Sequence, residues 1–282
     1  MKTFVTALAL GTLMTLSAGV AQAKDWSTIR IGTEGAYAPW NYTDPSGKLV
    51  GFEMDLAQDL CKRMGATKCE IIGQDWDGII PALQQGKYDA IMASMSITDE
   101  REKVISFAGP YGSEPTNFAV LKTSPLGTLD VGVEAVDLSA EPEKAKEALA
   151  KIAALLKGKT IGVQTSTIQA NFMEQLLPDV AMRTYDKLDN AGIDLANGRV
   201  DAIIGDRSAV EAVVKADSAQ SMVLAGPNFS RGLLGKGVGV GLRQADADLK
   251  DKFNKAIDEA TADGTIAKLS QQHFGYDISV KK

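Results

Sequence analysis

The side chains best placed to meet a ligand in this chain are acids, hydroxyls and a single arginine. Ligands of open α/β sheets sit beyond the carboxyl ends of the strands, so residues just past strand-like segments are inspected first. Glu34 and Tyr37 follow the segment 29–32; Ser94, Ser96 and Arg101 follow 88–93; Thr165, Ser166 and Thr167 follow 160–163; Asp206 follows 200–205. Arg101 falls in the first turn of a helix begun by Ser96 or Thr98. A cation there opposes the helix dipole unless an anion offsets it, and a guanidinium grips a carboxylate with two prongs. The plain alternative is a solvated arginine paired with Asp99 or Glu102. Thr165 to Thr167 precede a helix starting at Ile168, so their N–H groups and hydroxyls suit a carboxylate, or simply cap that helix. If Glu34 and Glu53 share a cleft they favour a cationic group, and Trp76 and Tyr37 either stack on a planar cation or pack in a core. His273 is the one histidine of the sequence, which leaves little for metal sites or nucleophilic triads. No catalytic residue, metal or cofactor is expected.

These residues need a frame to bring them together. Apolar positions at Phe52, Leu56, Leu60 and Met64 have helical spacing, 70–73 reads as a strand, 78–85 as a helix ended by Gly86, and 88–93 as a buried strand. Strands alternating with helices predict α/β units around a largely parallel sheet. The pattern then repeats: Asp77, Leu83, Gly86, Asp89, Ala90 and Ile91 align without gaps on Asp189, Leu195, Gly198, Asp201, Ala202 and Ile203. Two similar lobes follow from this, with 237–243 as a strand returning to the first. The expected division is 24–112 for lobe 1, 113–236 for lobe 2 and 237–282 back in lobe 1, with a cleft and a hinge between lobes. A helix over 141–157, capped by Ser139, is read as an amphipathic surface element.

Net charge argues against nucleic acids as partners, and the N-terminal residues predict export. Of 282 residues 45% are hydrophobic, and 30 basic residues against 36 acidic give a net charge of −6, the wrong sign for a phosphate backbone. Lys2, the apolar run from Phe4 to Leu16 and the small-x-small site Ala21-Gln22-Ala23 make a secretory signal peptide over 1–23. Cys61 and Cys69, the two cysteines of the sequence, are then expected to pair as a disulfide in an oxidising compartment. Gly158-Lys159-Thr160 lacks the leading glycine of a phosphate loop, where Ala153 stands instead.

The stretches IRIGTEGAYAPWNY, GFEMDLAQDLCKRM, WDGIIPALQQGKYDAIMASMSITDEREK, GVGLR and DGTIAKLSQQHFGYD closely resemble the periplasmic basic-amino-acid-binding proteins of ABC importers. The opening loop and the surroundings of Trp76 are most similar to the opine-binding members. The resemblance implies an α/β fold of two similar lobes joined by a two-stranded hinge, the type II periplasmic binding protein fold. It implies a monomer that captures arginine, lysine, ornithine, histidine or an opine and delivers it to an inner-membrane ABC permease. By the same resemblance Arg101 grips the ligand α-carboxylate, aided by Ser166 and Thr167, with Ala93, Ser94 and Ser96 on the facing lobe. Asp206 holds the α-ammonium, Glu34 and Glu53 face the distal cation, and Tyr37 and Trp76 form an aromatic lid. The chain departs from the pattern at Ala93, where many members have serine, and at Ile168, where some have glutamine. Thr165 stands at an expected glycine position. A periplasmic dehydratase on the same fold is the enzymatic rival; its dicarboxylate substrate would meet repulsion from the acids.

Overall fold

The structure, a computed structural model, describes residues 24–280. The export signal expected at 1–23 lies outside the described residues. From the amino end, β1 (Thr28–Thr33) leads into a small antiparallel sheet of β2 (Ala36–Tyr37), β3 (Asn41–Thr43) and β4 (Leu49–Val50). Helix α1 (Phe52–Arg63) follows from Gly51, whose φ is 121° and where a Cβ would come within 2.6 Å of the Trp40 carbonyl oxygen, so only glycine fits this entry. Phe52, Leu56 and Leu60 are buried at helical spacing, and Cys61 joins Cys69 on β5 (Lys68–Gly73) in the expected disulfide, with Cα atoms 6.0 Å apart. Then come α2 (Ile79–Gln84), β6 (Ala90–Ile91), α3 (Asp99–Glu102) and β7 (Ser106–Gly112).

The chain crosses at 113–115 into β8 (Thr116–Leu121), β9 (Ala135–Asp137), α4 (Pro142–Leu155), β10 (Thr160–Gln164), α5 (Ile168–Leu176), β11 (Ala181–Tyr185), α6 (Leu188–Ala196), β12 (Ala202–Asp206), α7 (Arg207–Ala216) and β13 (Met222–Ser230). It crosses again at 231–237 into β14 (Val238–Leu242), α8 (Ala247–Ala262) and α9 (Thr265–Phe274). One sheet has the order β5-β1-β6-β14-β7 and the other β11-β10-β12-β8-β13-β9.

The sheets are mixed rather than largely parallel. In each, the fourth strand runs against its neighbours: β14 in one, β8 in the other. These are the strands that begin just after a crossing between lobes, so the chain enters each from the hinge side. The internal repeat has a physical counterpart. Asp89 before β6 donates its N–H to the Arg30 carbonyl (2.8 Å) and accepts from the Arg30 N–H (3.1 Å). Asp201 before β12 does the same with Thr160, at 2.8 and 2.9 Å. Each aspartate therefore registers the third strand of its sheet on the second.

Two expected elements differ. The strand read over 88–93 is only Ala90–Ile91: Met92 still donates to the Gly32 carbonyl at 3.0 Å, but Ser94 turns into the left-handed region (φ 48°) and leads the chain out of the sheet. Ser139 does not cap α4. Pro142 at the first turn sets the start, and the Asp137 carboxylate takes up the Ser139 N–H, its hydroxyl and the Ala140 N–H. Each lobe packs its own aromatic cluster. Trp40, Phe52, Tyr111 and Phe274 stack edge-on or tilted in the first, and Phe118, Phe172 and Phe229 in the second, each buried ring contributing about 1.5–3 kcal/mol. Among the described residues no helix is long and apolar enough to cross a membrane.

Candidate functional site

The carboxyl ends of β1, β6, β10 and β12 converge on one small cavity between the lobes. It is lined from the first lobe by Glu34, Tyr37, Trp76, Ala93, Ser94, Ser96 and Arg101, and from the second by Gln164, Thr167, Ile168, Gln169 and Asp206. Thr98 caps α3 by accepting from the Arg101 N–H at 3.2 Å, which fixes where the arginine side chain leaves the backbone. The guanidinium turns back toward the cleft, donating to Ser96 O (2.9 Å) and Ser166 O (3.4 Å), with its carbon 5.3 Å from the Trp76 ring centre. Asp99 and Glu102 are instead held by Lys236, at 2.6 and 3.1 Å, so the solvated pairing is not the one formed. Burial pulls Arg101 down to about 10, against the pull of Asp206 and Glu100.

Asp206 ends β12 and is buried. Its two carboxylate oxygens accept from Ser94 Oγ (3.2 Å) and Gln169 Nε2 (2.8 Å), while its own N–H donates to the Tyr37 hydroxyl (3.0 Å). Burial pushes its pKa up to about 7, helped by the nearby Glu114 carboxylate. Glu34 accepts from Gln164 Nε2 at 2.6 Å and is likewise raised by burial to about 7. Two carboxyls that resist ionisation in a closed cleft are a place where an incoming cation is favoured. These two acids and Arg101 line one cavity, a set of groups that suits a zwitterion with an additional positive charge.

Two of the expected residues stand elsewhere. Ser166 lies at the lip, outside the cavity lining: its hydroxyl donates to Asp77 Oδ1 (2.8 Å) and its carbonyl receives Trp76 Nε1 (3.3 Å) and Arg101. Its φ of 56° shows that Ser166, rather than Thr165, takes the left-handed position that glycine favours. Glu53 does not reach the cavity; it is fully buried behind Ser94. Thr167 lines the cavity but spends its hydroxyl as the N-cap of α5, accepting from Ala170 N–H (3.1 Å) and donating to Gln164 O (2.7 Å). Gln164 and Gln169 were missed by the sequence reading. Gln164 is the last residue of β10, where the strand-end rule points, and Gln169 lies just past the capped start of α5. Around the cleft, hydrogen bonds close the lobes on one another through Gln164–Glu34, Ser166–Asp77, Trp76–Ser166, Arg101–Ser166, Ser94–Asp206 and Asp206–Tyr37. Among the described residues no cluster of histidine, cysteine or acids is arranged to hold a metal ion.

The same frame recurs in known proteins. Residues 29–276 match the bacterial extracellular solute-binding proteins, family 3. The chain is 41% identical over 281 residues to the octopine-binding periplasmic protein of Rhizobium meliloti, covering 93% of this chain and 95% of that one. It is 36% identical over 282 residues to the histidine-binding periplasmic protein of Escherichia coli K12, covering 99% of each. The solved structure of an ancestral arginine-binding protein bound to arginine superposes with a TM-score of 0.73 at 32% identity, covering 88% of this chain and 99% of that one. With its two lobes, its cleft and a family match running almost end to end, the chain belongs to the bacterial extracellular solute-binding proteins, family 3.

Proposed function

We propose that the protein is a periplasmic receptor that captures a basic amino acid, arginine first and then lysine, ornithine or histidine, and hands it to an inner-membrane ABC permease. The observation that carries this reading is one cavity with Arg101 and Glu34 on the first lobe and Asp206 on the second. Arg101 takes the α-carboxylate, Asp206 and Ser94 take the α-ammonium, and Glu34 takes the distal cation, with Trp76 and Tyr37 closing over it. Among the described residues, 24–112 with 237–280 form the first lobe and 113–236 the second. Hinge motion at 113–115 and 231–237 opens the cleft, and the cross-lobe hydrogen bonds are exchanged for bonds to ligand. Relatives named as periplasmic binding proteins support a periplasmic location, for which an export signal over 1–23 is the expected route.

Binding rather than catalysis is favoured because the polar groups of the cavity are a zwitterion clamp. A dicarboxylate substrate would be repelled by Glu34 and Asp206. The octopine-binding relative supports an opine as the second reading. Against it stands Asp206, since an opine carries a substituent and a second carboxylate at the nitrogen this aspartate would hold. Thermal shift of the mature protein decides: arginine at about 100–1,000 times its dissociation constant stabilises by roughly 3–4 kcal/mol, while glutamate, leucine and glucose do not. A larger shift with an acidic or neutral amino acid overturns the assignment of Glu34, and turnover of prephenate to phenylpyruvate overturns the receptor reading.

A further inference from the structure

We propose that Glu53 is a positioning residue: one buried carboxylate sets both ligand-facing turns of the first lobe, the Ser94 turn directly and the Glu34–Tyr37 turn through Asn41. The proposal rests on the amino-acid-binding reading of the cleft. Glu53 sits in the first turn of α1, is 0% exposed, and has its backbone N–H fixed on Trp40 O at 2.9 Å. Its side chain points under the cavity floor. Oε1 accepts from the Ser94 N–H at 2.8 Å and from the Tyr111 hydroxyl, and Oε2 accepts from Asn41 Nδ2 at 2.7 Å. Asn41, also fully buried, passes the constraint on: its Oδ1 accepts from the Gly35 N–H at 2.8 Å.

Each arm ends on a ligand group. Ser94 is a non-glycine residue in the left-handed region, a conformation that persists only when its surroundings fix it. With its N–H tied down to Glu53, its hydroxyl is presented upward to Asp206. Gly35, also at positive φ (74°), lies between Glu34, which meets Gln164, and Tyr37, whose hydroxyl meets the Asp206 N–H. A carboxylate suits this post because every partner is a donor, whereas an amide in its place would turn an N–H group toward one of them. Burial pushes Glu53 up to about 6 while Tyr111, Ser94 and Asn41 pull it down, which keeps it ionised at neutral pH.

The test is a pair of double-mutant cycles read by calorimetry with arginine, crossing Glu53→Gln with Ser94→Ala and with Glu34→Gln. Coupled neighbours deviate from additivity by about 2- to 150-fold in affinity, and both cycles are expected to do so. A residue that only supports the core would lower Tm yet leave the two cycles multiplicative within about twofold, which overturns the proposal. A second reading needs no ligand: in Glu53→Gln the amide resonance of Gly35, which does not touch Glu53, shifts together with that of Ser94. An unmoved Gly35 amide also overturns it. If Glu53→Gln does not fold, Asn41→Ala cuts one arm alone, and it should couple to Glu34→Gln but not to Ser94→Ala; the reverse pattern contradicts the proposal. Wild type that ignores arginine refutes the binding reading, and the Gly35 amide then still decides on Glu53.

Discussion

Replacing Arg101 separates the fork from the charge. Its guanidinium is already pinned, at 2.9 Å from Ser96 O and 3.4 Å from Ser166 O, and Arg101 lines the cavity. Arg101→Lys keeps the charge but loses the planar pair of donors, and one charge-assisted hydrogen bond is worth roughly 1.5–3 kcal/mol. Affinity for arginine should therefore fall by about 10- to 150-fold. Arg101→Ala leaves the ligand carboxylate without a partner in a closed cleft, a loss of roughly 3–5 kcal/mol, so binding weakens by about 150-fold or more. The fold should survive both changes. Arg101 lies on a four-residue helix, and its lowered pKa marks a guanidinium that burial disfavours, so its removal costs the folded state little. Isothermal titration on the three proteins, with circular dichroism as the folding control, measures this. Arg101→Ala binding within about twofold of wild type would return Arg101 to the role of a rim residue and refute the clamp.

Three further outcomes are expected. Glu34 and Asp206 are both raised to about 7, so without ligand the folded state holds more protons than the unfolded chain between their ordinary pKa values and 7. Their contribution to stability therefore falls as pH rises through that window, and a cationic ligand, which needs both ionised, gains as pH rises. The arginine-induced Tm shift should accordingly be larger at pH 8 than at pH 5, and Glu34→Gln with Asp206→Asn should flatten the difference; a shift larger at pH 5 contradicts the part given to these two acids. Reducing Cys61–Cys69 frees a short loop and should cost roughly 2–3 kcal/mol by the chain-entropy estimate, read as a lower Tm under reductant with arginine binding retained; loss of binding would tie the disulfide to the site. Asp206→Asn should lose more affinity for arginine than for octopine, measured by competition calorimetry, because an opine sets a second carboxylate beside its nitrogen and the free α-ammonium does not; equal losses would remove Asp206 from the choice of ligand.

Much of the site is legible in the sequence, for reasons that are local. Glu34, Ser94 and Asp206 lie at or just past strand ends, and the βα architecture brings such positions to one crevice. Asp89 and Asp201 stood out as a repeat because each makes the same pair of backbone bonds in its own sheet. The failures are equally physical. Glu53 adjoins the apolar face of α1, and its direction depends on Asn41 and Tyr111, 12 and 58 positions away, which no periodicity connects. Gln164 and Gln169 carry no charge to draw attention, and their value lies in donors aimed at Glu34 across the cleft and at Asp206 within the second lobe. Ser139 has the right residue type for a helix cap, yet Asp137 and Pro142 decide where α4 begins. Positions dictated by strand ends were legible; the partner each side chain takes was not.

In the proposed binding mode Arg101, Asp206 and Glu34 together form a clamp for a free amino acid with a cationic side chain. Competition calorimetry of the mature wild-type protein with arginine, octopine, nopaline, glutamate and leucine tests it most directly. Arginine should bind most tightly, and glutamate and leucine should not compete. Tighter binding of octopine or nopaline would move the ligand to the opine class, and competition by glutamate or leucine would contradict the clamp itself.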